Sequence, residues 1–165
     1  MNKHVYYKDD IYVGYRHFNT HNVKPQFAFG FGLSYTTFKY GKPVFTPSTG
    51  DRNLSRQAVT ASSPRSLGTV AIDITNTGTV EGKETVQLYI SDTECSVPRP
   101  AKELKGFQKV SLKPGETKTV TFSITEDMLQ FWSEAEHRFT AEPGQFKAHL
   151  CASETDIRGS VAFMI

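Results

Sequence analysis

The chain has 165 residues, with 19 Lys and Arg against 17 Asp and Glu, a formal net charge of +2. That near balance, without a long basic cluster, excludes the footprint of a nucleic-acid partner. No run of about eighteen apolar residues exists, so no membrane-spanning helix and no membrane partner are expected. A hydrophobic share of 38% in 165 residues supports one domain with a core of its own. Met1 to Asp10 lacks an apolar stretch and does not read as a signal peptide.

In chain order, residues 1–33 read as an extended, aromatic-rich arm. Within it, Phe27 to Phe38 packs four Phe, one Tyr and two Gly into twelve residues. The glycines permit sharp bends and close backbone approach; the rings offer large apolar areas. Residues 34–45 begin a strand-like piece that ends near Pro43. Residues 46–66 are rich in Ser, Thr, Pro and Gly without periodicity, the composition of a flexible loop. From residue 67 the pattern changes to alternation. Val70, Ile72 and Ile74 share one face, and Asn76-Thr77-Gly78-Thr79 makes the turn. Val86, Leu88 and Ile90 alternate with Thr85, Gln87 and Tyr89. Leu104, Phe107 and Val110 lead to the Lys113-Pro114-Gly115-Glu116 turn. Val120, Phe122 and Ile124 follow, then Glu126 to Gln130 as one helical turn. Phe139, the Glu142 to Gln145 turn, Phe146, Ala148 and Leu150, and finally Val161 and Phe163 complete the series. About seven short strands with turns every 8–12 residues give an all-β, immunoglobulin-like or fibronectin type III-like β-sandwich. Val70, Ile72, Ile74, Val86, Leu88, Ile90, Val120, Phe122, Ile124, Phe146, Ala148 and Leu150 are expected to point inward.

The motifs agree. Phe27-Ala28-Phe29-Gly30-Phe31-Gly32-Leu33-Ser34-Tyr35-Thr36-Thr37-Phe38 resembles the "FPFGxGLSYTTF" junction of the family 3 glycoside hydrolases, which include the β-glucosidases. Tyr7 to Phe18 resembles their "YxEGIFVGYRYFD". Asn76-Thr77-Gly78 with Gly82-Lys83-Glu84 and Val86-Gln87-Leu88-Tyr89 resembles "NTGxxxGKEVVQLYV". Pro98-Arg99-Pro100, Lys102 to Phe107 and Leu112 to Glu116 resemble "PRPxKELKGFxKVxLKPGE". Ala28 stands where the family usually has Pro, and Asp9-Asp10 where it usually has Glu-Gly. The resemblance implies that residues 1–33 are the C-terminal remnant of an α/β catalytic domain. Residues 34–165 would be a fibronectin type III-like domain, with 46–66 its flexible loop. The family's nucleophilic Asp and its acid/base carboxylate belong to preceding domains, so no catalytic residue carries over. The implied role is a non-catalytic accessory module that stabilises the catalytic domains of a β-glucosidase acting on terminal non-reducing β-D-glucosyl residues. Those domains are the expected partner, in cis or in trans. A free-standing module that binds β-glucan or another polymer is the alternative. Such parents are secreted or cytoplasmic.

The remaining chemistry reads as structural. Asp9, Asp10, Glu81, Glu84, Glu103 and Glu116 are expected to be solvated or turn-stabilising, not the facing pair that glycoside hydrolysis needs. His17 and His21 have a spacing that on a helix suits a metal, but Gly14, Asn22 and Pro25 argue against a helix there, and no metal or cofactor is expected. Cys95 and Cys151 are expected as separate thiols more than as a bridge. Trp132 is expected in the core or at its rim. Tyr12, Phe18, Phe27, Phe29 and Phe31 are the candidate docking residues. With no partner domain present, removal of residues 1–26 is expected to leave the unfolding midpoint almost unchanged. Asn53-Leu54-Ser55 is an N-glycosylation tripeptide, usable in a secretory compartment.

Overall fold

A computed structural model describes residues 4–49 and 64–165 of the protein. Most of the expected loop at 46–66 lies outside these residues, as does Asn53. At its described margins Thr46 and Pro47 end one strand and Ser66 begins the next, with 48–49 and 64–65 in no strand.

Two four-stranded antiparallel sheets face each other. In the first, the long strand β3 (Ser66–Asn76) is flanked on one edge by β1 (Phe38–Tyr40) and β2 (Val44–Pro47), each pairing with one half of it. Its other edge pairs with β6 (Thr117–Thr125). The second sheet runs β10-β9-β4-β5, from β4 (Gly82–Asp92), β5 (Glu103–Leu112), β9 (Gln145–Cys151) and β10 (Ile157–Met164). A small hairpin, β7 (Phe131–Ser133) with β8 (Arg138–Thr140), stands outside both sheets.

Alternation decides what lies between the sheets. All twelve side chains expected inward are buried there, joined by Leu112, Leu129 and Phe163. Burying each of the larger side chains, Ala148 apart, contributes about 1.5–3 kcal/mol. Stacking of Phe163 on Phe45 and on Phe146, at 4.8 and 5.8 Å between ring centroids, closes the β2–β10 side. Opposite Phe122, Gly106 leaves the room that the ring fills.

The turn motif at Asn76 is a polar knot between three distant segments. Its side-chain amide donates to the carbonyls of Val80 and Leu112 at 2.8 and 2.9 Å. Its Oδ1 accepts from the Thr36 hydroxyl at 2.6 Å and from the Gly78 N–H at 3.0 Å. Its backbone N–H reaches the Glu116 carbonyl, and its own carbonyl takes the Gly115 N–H. Asn76 is fully buried, so these bonds satisfy groups that would otherwise cost stability. A side chain at Gly78 would strike Thr36.

Candidate functional site

A sandwich normally shows water the outer faces of its sheets. Here the middle of the second sheet's outer face is covered, while Phe107 on β5 and Lys147 on β9 stay exposed. Gln87, Tyr89, His149 and Cys151 point away from the core yet are all buried. What covers the middle of that face is the arm.

The arm is not wholly extended. Residues Tyr15–Thr20 form a short helix, α1. No helical signal is legible in these residues because none is local: the N-cap Gly14 sits at φ 61° with no side-chain cap. Contacts with the sandwich hold it. The Tyr15 ring stacks on Phe29 at 5.0 Å and meets Tyr89 edge-on at 5.8 Å. Its hydroxyl accepts the Leu104 N–H at 2.9 Å. Arg16 pairs with Glu103, and the Thr20 hydroxyl accepts the Ala101 N–H. Most buried of all, Asn19 Nδ2 donates at 2.6 Å to Glu154 Oε1, the same oxygen that receives Lys102 Nζ at 2.7 Å. A charge pair this buried survives only when well bonded.

Further along, Gly30 brings the backbone down onto the sheet. Gln87 Nε2 donates to the carbonyls of Gly30 and Ala152, while Gln87 Oε1 accepts the Tyr89 hydroxyl at 2.8 Å. Gly30 has φ 76°, and a Cβ there would overlap the Gln87 amide. The glycine thus serves both conformation and close approach. Burial, above all, raises the Tyr89 phenol well beyond its ordinary value, so it remains a donor. The Glu154 N–H to the Phe29 carbonyl, 2.9 Å, completes the clamp. Removal of residues 1–26 would strip Tyr15, Arg16, Asn19 and Thr20 from the sandwich. These contacts argue against an unmoved unfolding midpoint and predict a lower one.

The far side of the arm is uncovered. Phe27, Phe29 and Phe31 are half exposed or more, while Leu33 and Tyr35 are almost wholly exposed. Phe27 and Phe31 lie 5.6 Å apart, so these rings form a patch. Phe18 is 37% exposed and Tyr12 packs edge-on against His21. The five sequence-selected residues thus all lie on the arm, and Leu33 and Tyr35 extend the set. A cleft of about 420 Å³ separates the segment 30–38 from the end of the second sheet, with Lys83, Lys109, Asp156 and Arg158 among its walls.

The candidate carboxylates have structural partners on separate elements. Glu84 on β4 accepts the Tyr40 hydroxyl at 2.7 Å. Burial raises its pKa, with that hydrogen bond and Arg158 partly opposing. Glu103 on β5 belongs to an ion network. Burial pushes its carboxyl up, but Lys105, Arg99 and Arg16 prevail and hold it below the ordinary value. Arg99 bridges Asp92, Glu103 and the Leu129 carbonyl. Glu116 accepts the Lys113 N–H across its turn, and Glu81 accepts the Ser111 hydroxyl. Asp9 and Asp10 lie in the exposed start of the arm. His17 and His21 do sit on a helix and its cap, rings 4.6 Å apart. Among the described residues no three metal-ligating side chains gather. Cys95 and Cys151 are separate thiols; burial pushes Cys151 up to about 12. Trp132, expected in the core or at its rim, is instead 51% exposed on the hairpin.

Residues 84–154 match the fibronectin type III-like domain family. The chain carries a fibronectin type III-like domain. It is 50% identical to β-glucosidase BoGH3A of Bacteroides ovatus over 157 residues, 95% of this chain and 19% of that enzyme. Against thermostable β-glucosidase B of Acetivibrio thermocellus the identity is 40%, over 93% of this chain and 19% of the enzyme. Among solved structures, β-glucosidase D2-BGL of Chaetomella raphigera superposes with a TM-score of 0.87 at 36% identity, over 96% of this chain and 23% of that one. The domain with its arm thus spans about a fifth of the length of these relatives.

Proposed function

We propose that this chain is the accessory module of a family 3 β-glucosidase, a part that docks on the catalytic domains and stabilises them. The parent reaction would be hydrolysis of terminal non-reducing β-D-glucosyl residues. The observation that carries this reading is the two-sided arm. One side is bonded into the outer face of the second sheet; the other presents Phe27, Phe31, Leu33 and Tyr35 to solvent. Contiguous exposed apolar side chains of this kind mark an interaction surface. The relatives are about five times longer, and on this reading the extra length carries the surface that the patch meets. Tyr12, Phe18, Phe27, Phe29 and Phe31 belong to the docking surface, and residues 1–33 would be the seam with the catalytic domain. The parent's own catalytic domains would be its partner, in cis, or in trans when supplied separately. Asn53 is an acceptor for N-glycan if the parent is secreted.

The experiment is capture in trans. Catalytic domains of a relative, expressed without their own fibronectin-like part, should bind the full chain and gain thermal stability and turnover of an aryl β-glucoside. Leu33→Asp and Phe31→Asp should abolish capture while the sandwich stays folded. Equal capture by wild type and both variants would defeat the reading.

A further inference from the structure

We propose that the β7–β8 hairpin is a second contact site, one that stacks on the pyranose rings of a β-glucan or β-glucoside chain. Its choice of ligand rests on the β-glucosidase reading above.

Trp132 and Phe139 are direct cross-strand partners. Their centroids are 5.3 Å apart and their planes 73° apart, so they offer two differently inclined walls. They are 51% and 64% exposed, and neither belongs to the core between the sheets. The hairpin is anchored without them. Phe131 lies beneath Arg99, whose guanidinium carbon is 5.8 Å from the ring centre. Arg99 also donates to the carbonyl of buried Leu129 at 2.8 Å. The fixed root thus holds the two rings out toward solvent, a costly arrangement for apolar area with no partner.

The surroundings select the ligand. Ser133 Oγ accepts the Glu136 N–H, and Arg138 pairs with Glu136. Glu134 and His137 complete an exposed rim. Carboxylates, a guanidinium and a hydroxyl give donors and acceptors in nearly balanced charge. A polyphosphate would meet repulsion from Glu134 and Glu136. A purely apolar surface would have to desolvate Glu134 and the Arg138–Glu136 pair. A sugar ring, with C–H faces above and below and hydroxyls around its edge, satisfies both rings and rim.

Trp132 is the single tryptophan of the chain, so fluorescence excited beyond the tyrosine absorption band reads this site alone. Titration of the full chain with cellohexaose, and separately with soluble laminarin, should give a saturable blue shift of the emission for at least one. Phe139→Ala and Trp132→Ala should each weaken retention on insoluble β-glucan at least tenfold, with an unchanged circular dichroism spectrum. No spectral response up to millimolar oligosaccharide, or retention equal in wild type and both variants, overturns the proposal. So does loss of catalytic-domain capture in Trp132→Ala without any glucan response, which would make the hairpin part of the protein interface. Failure of the module reading shows elsewhere, in the Leu33→Asp capture assay, which involves no hairpin residue.

Discussion

The inner face of the second sheet and the middle of its outer face are both buried, by opposite means. The inner face turns Val86, Leu88 and Ile90 toward a dry aliphatic and aromatic core. The outer face turns Gln87, Tyr89, Cys151 and His149 toward an arm and a loop, and bonds its polar groups pair by pair. Apolar burial is non-directional and tolerates adjustment. A buried polar clamp works only in one geometry, because each unmade bond costs the desolvation of its groups. The inner face therefore sets whether the sandwich exists, and the outer face sets where the arm lies on it.

The sharpest break comes from the core. Phe146→Ala should cost about 4 kcal/mol by loss of transfer energy and creation of a cavity, read as a lower urea midpoint with the whole domain unfolding together. A loss below about 1 kcal/mol would mean that the inner face collapses to fill the space. Next is Lys102→Ala, which leaves Glu154 buried without its cation. It should cost about 3 kcal/mol, and limited tryptic cleavage at Arg16 or Lys24 should precede unfolding. Arm and sandwich cleaved at one common rate would erase the distinction between the faces. Deletion of residues 1–26 removes the bonds of Tyr15, Asn19 and Thr20 and should cost about 2 kcal/mol, seen as a lower thermal midpoint with native-like strand content. An unmoved midpoint would show the clamp to be thermodynamically silent.

A pH series isolates one outer-face residue. His149 lies between the Ser91 and Ser160 hydroxyls, each 2.8 Å away. Burial first, then Lys147 and Lys102, lowers its pKa from 6.5 to about 4. Because the folded value is the depressed one, the unfolded ring takes up its proton first as pH falls. The stability contributed is full above about pH 6.5 and is lost as pH falls toward 4. In His149→Gln the thermal midpoint should depend less on pH across that window; an unchanged dependence would assign it to other groups. Smallest of all, Trp132→Ala should alter stability by no more than about 0.5 kcal/mol, since the ring supports no core.

The inner face was readable in advance because one physical rule, a period of two in apolar residues, maps directly onto which side is buried. Val70, Ile72 and Ile74 needed no knowledge of their partners. The outer face obeys no such rule. Gln87 and Tyr89 look like solvent-facing positions of an alternating strand, and only the docking of a segment more than fifty residues earlier buries them. Helix α1 was hidden for the same reason: six residues without a cap have little intrinsic helicity, and their order is tertiary. The Gly30 and Asn76 motifs could be matched to a family, but their purpose, close approach to Gln87 and a knot with Thr36 and Leu112, exists only in three dimensions. The exposure of Trp132 was likewise invisible, since a tryptophan beside Phe131 looks the same in sequence whether it faces in or out.

Cys151 gives the covered face a clock. It pairs with Gln87 across β4 and β9, wholly shielded, and burial keeps it a thiol. A thiol-directed reagent reacts with the thiolate, so it must await an opening that restores both access and ordinary acidity. Its labelling rate at that one sulfur would time how often the arm lifts from the sheet, without any probe being attached to the arm itself. If the module docks on catalytic domains as proposed, the same rate should slow by whatever factor those domains hold the arm down, turning interdomain grip into a measurable lifetime.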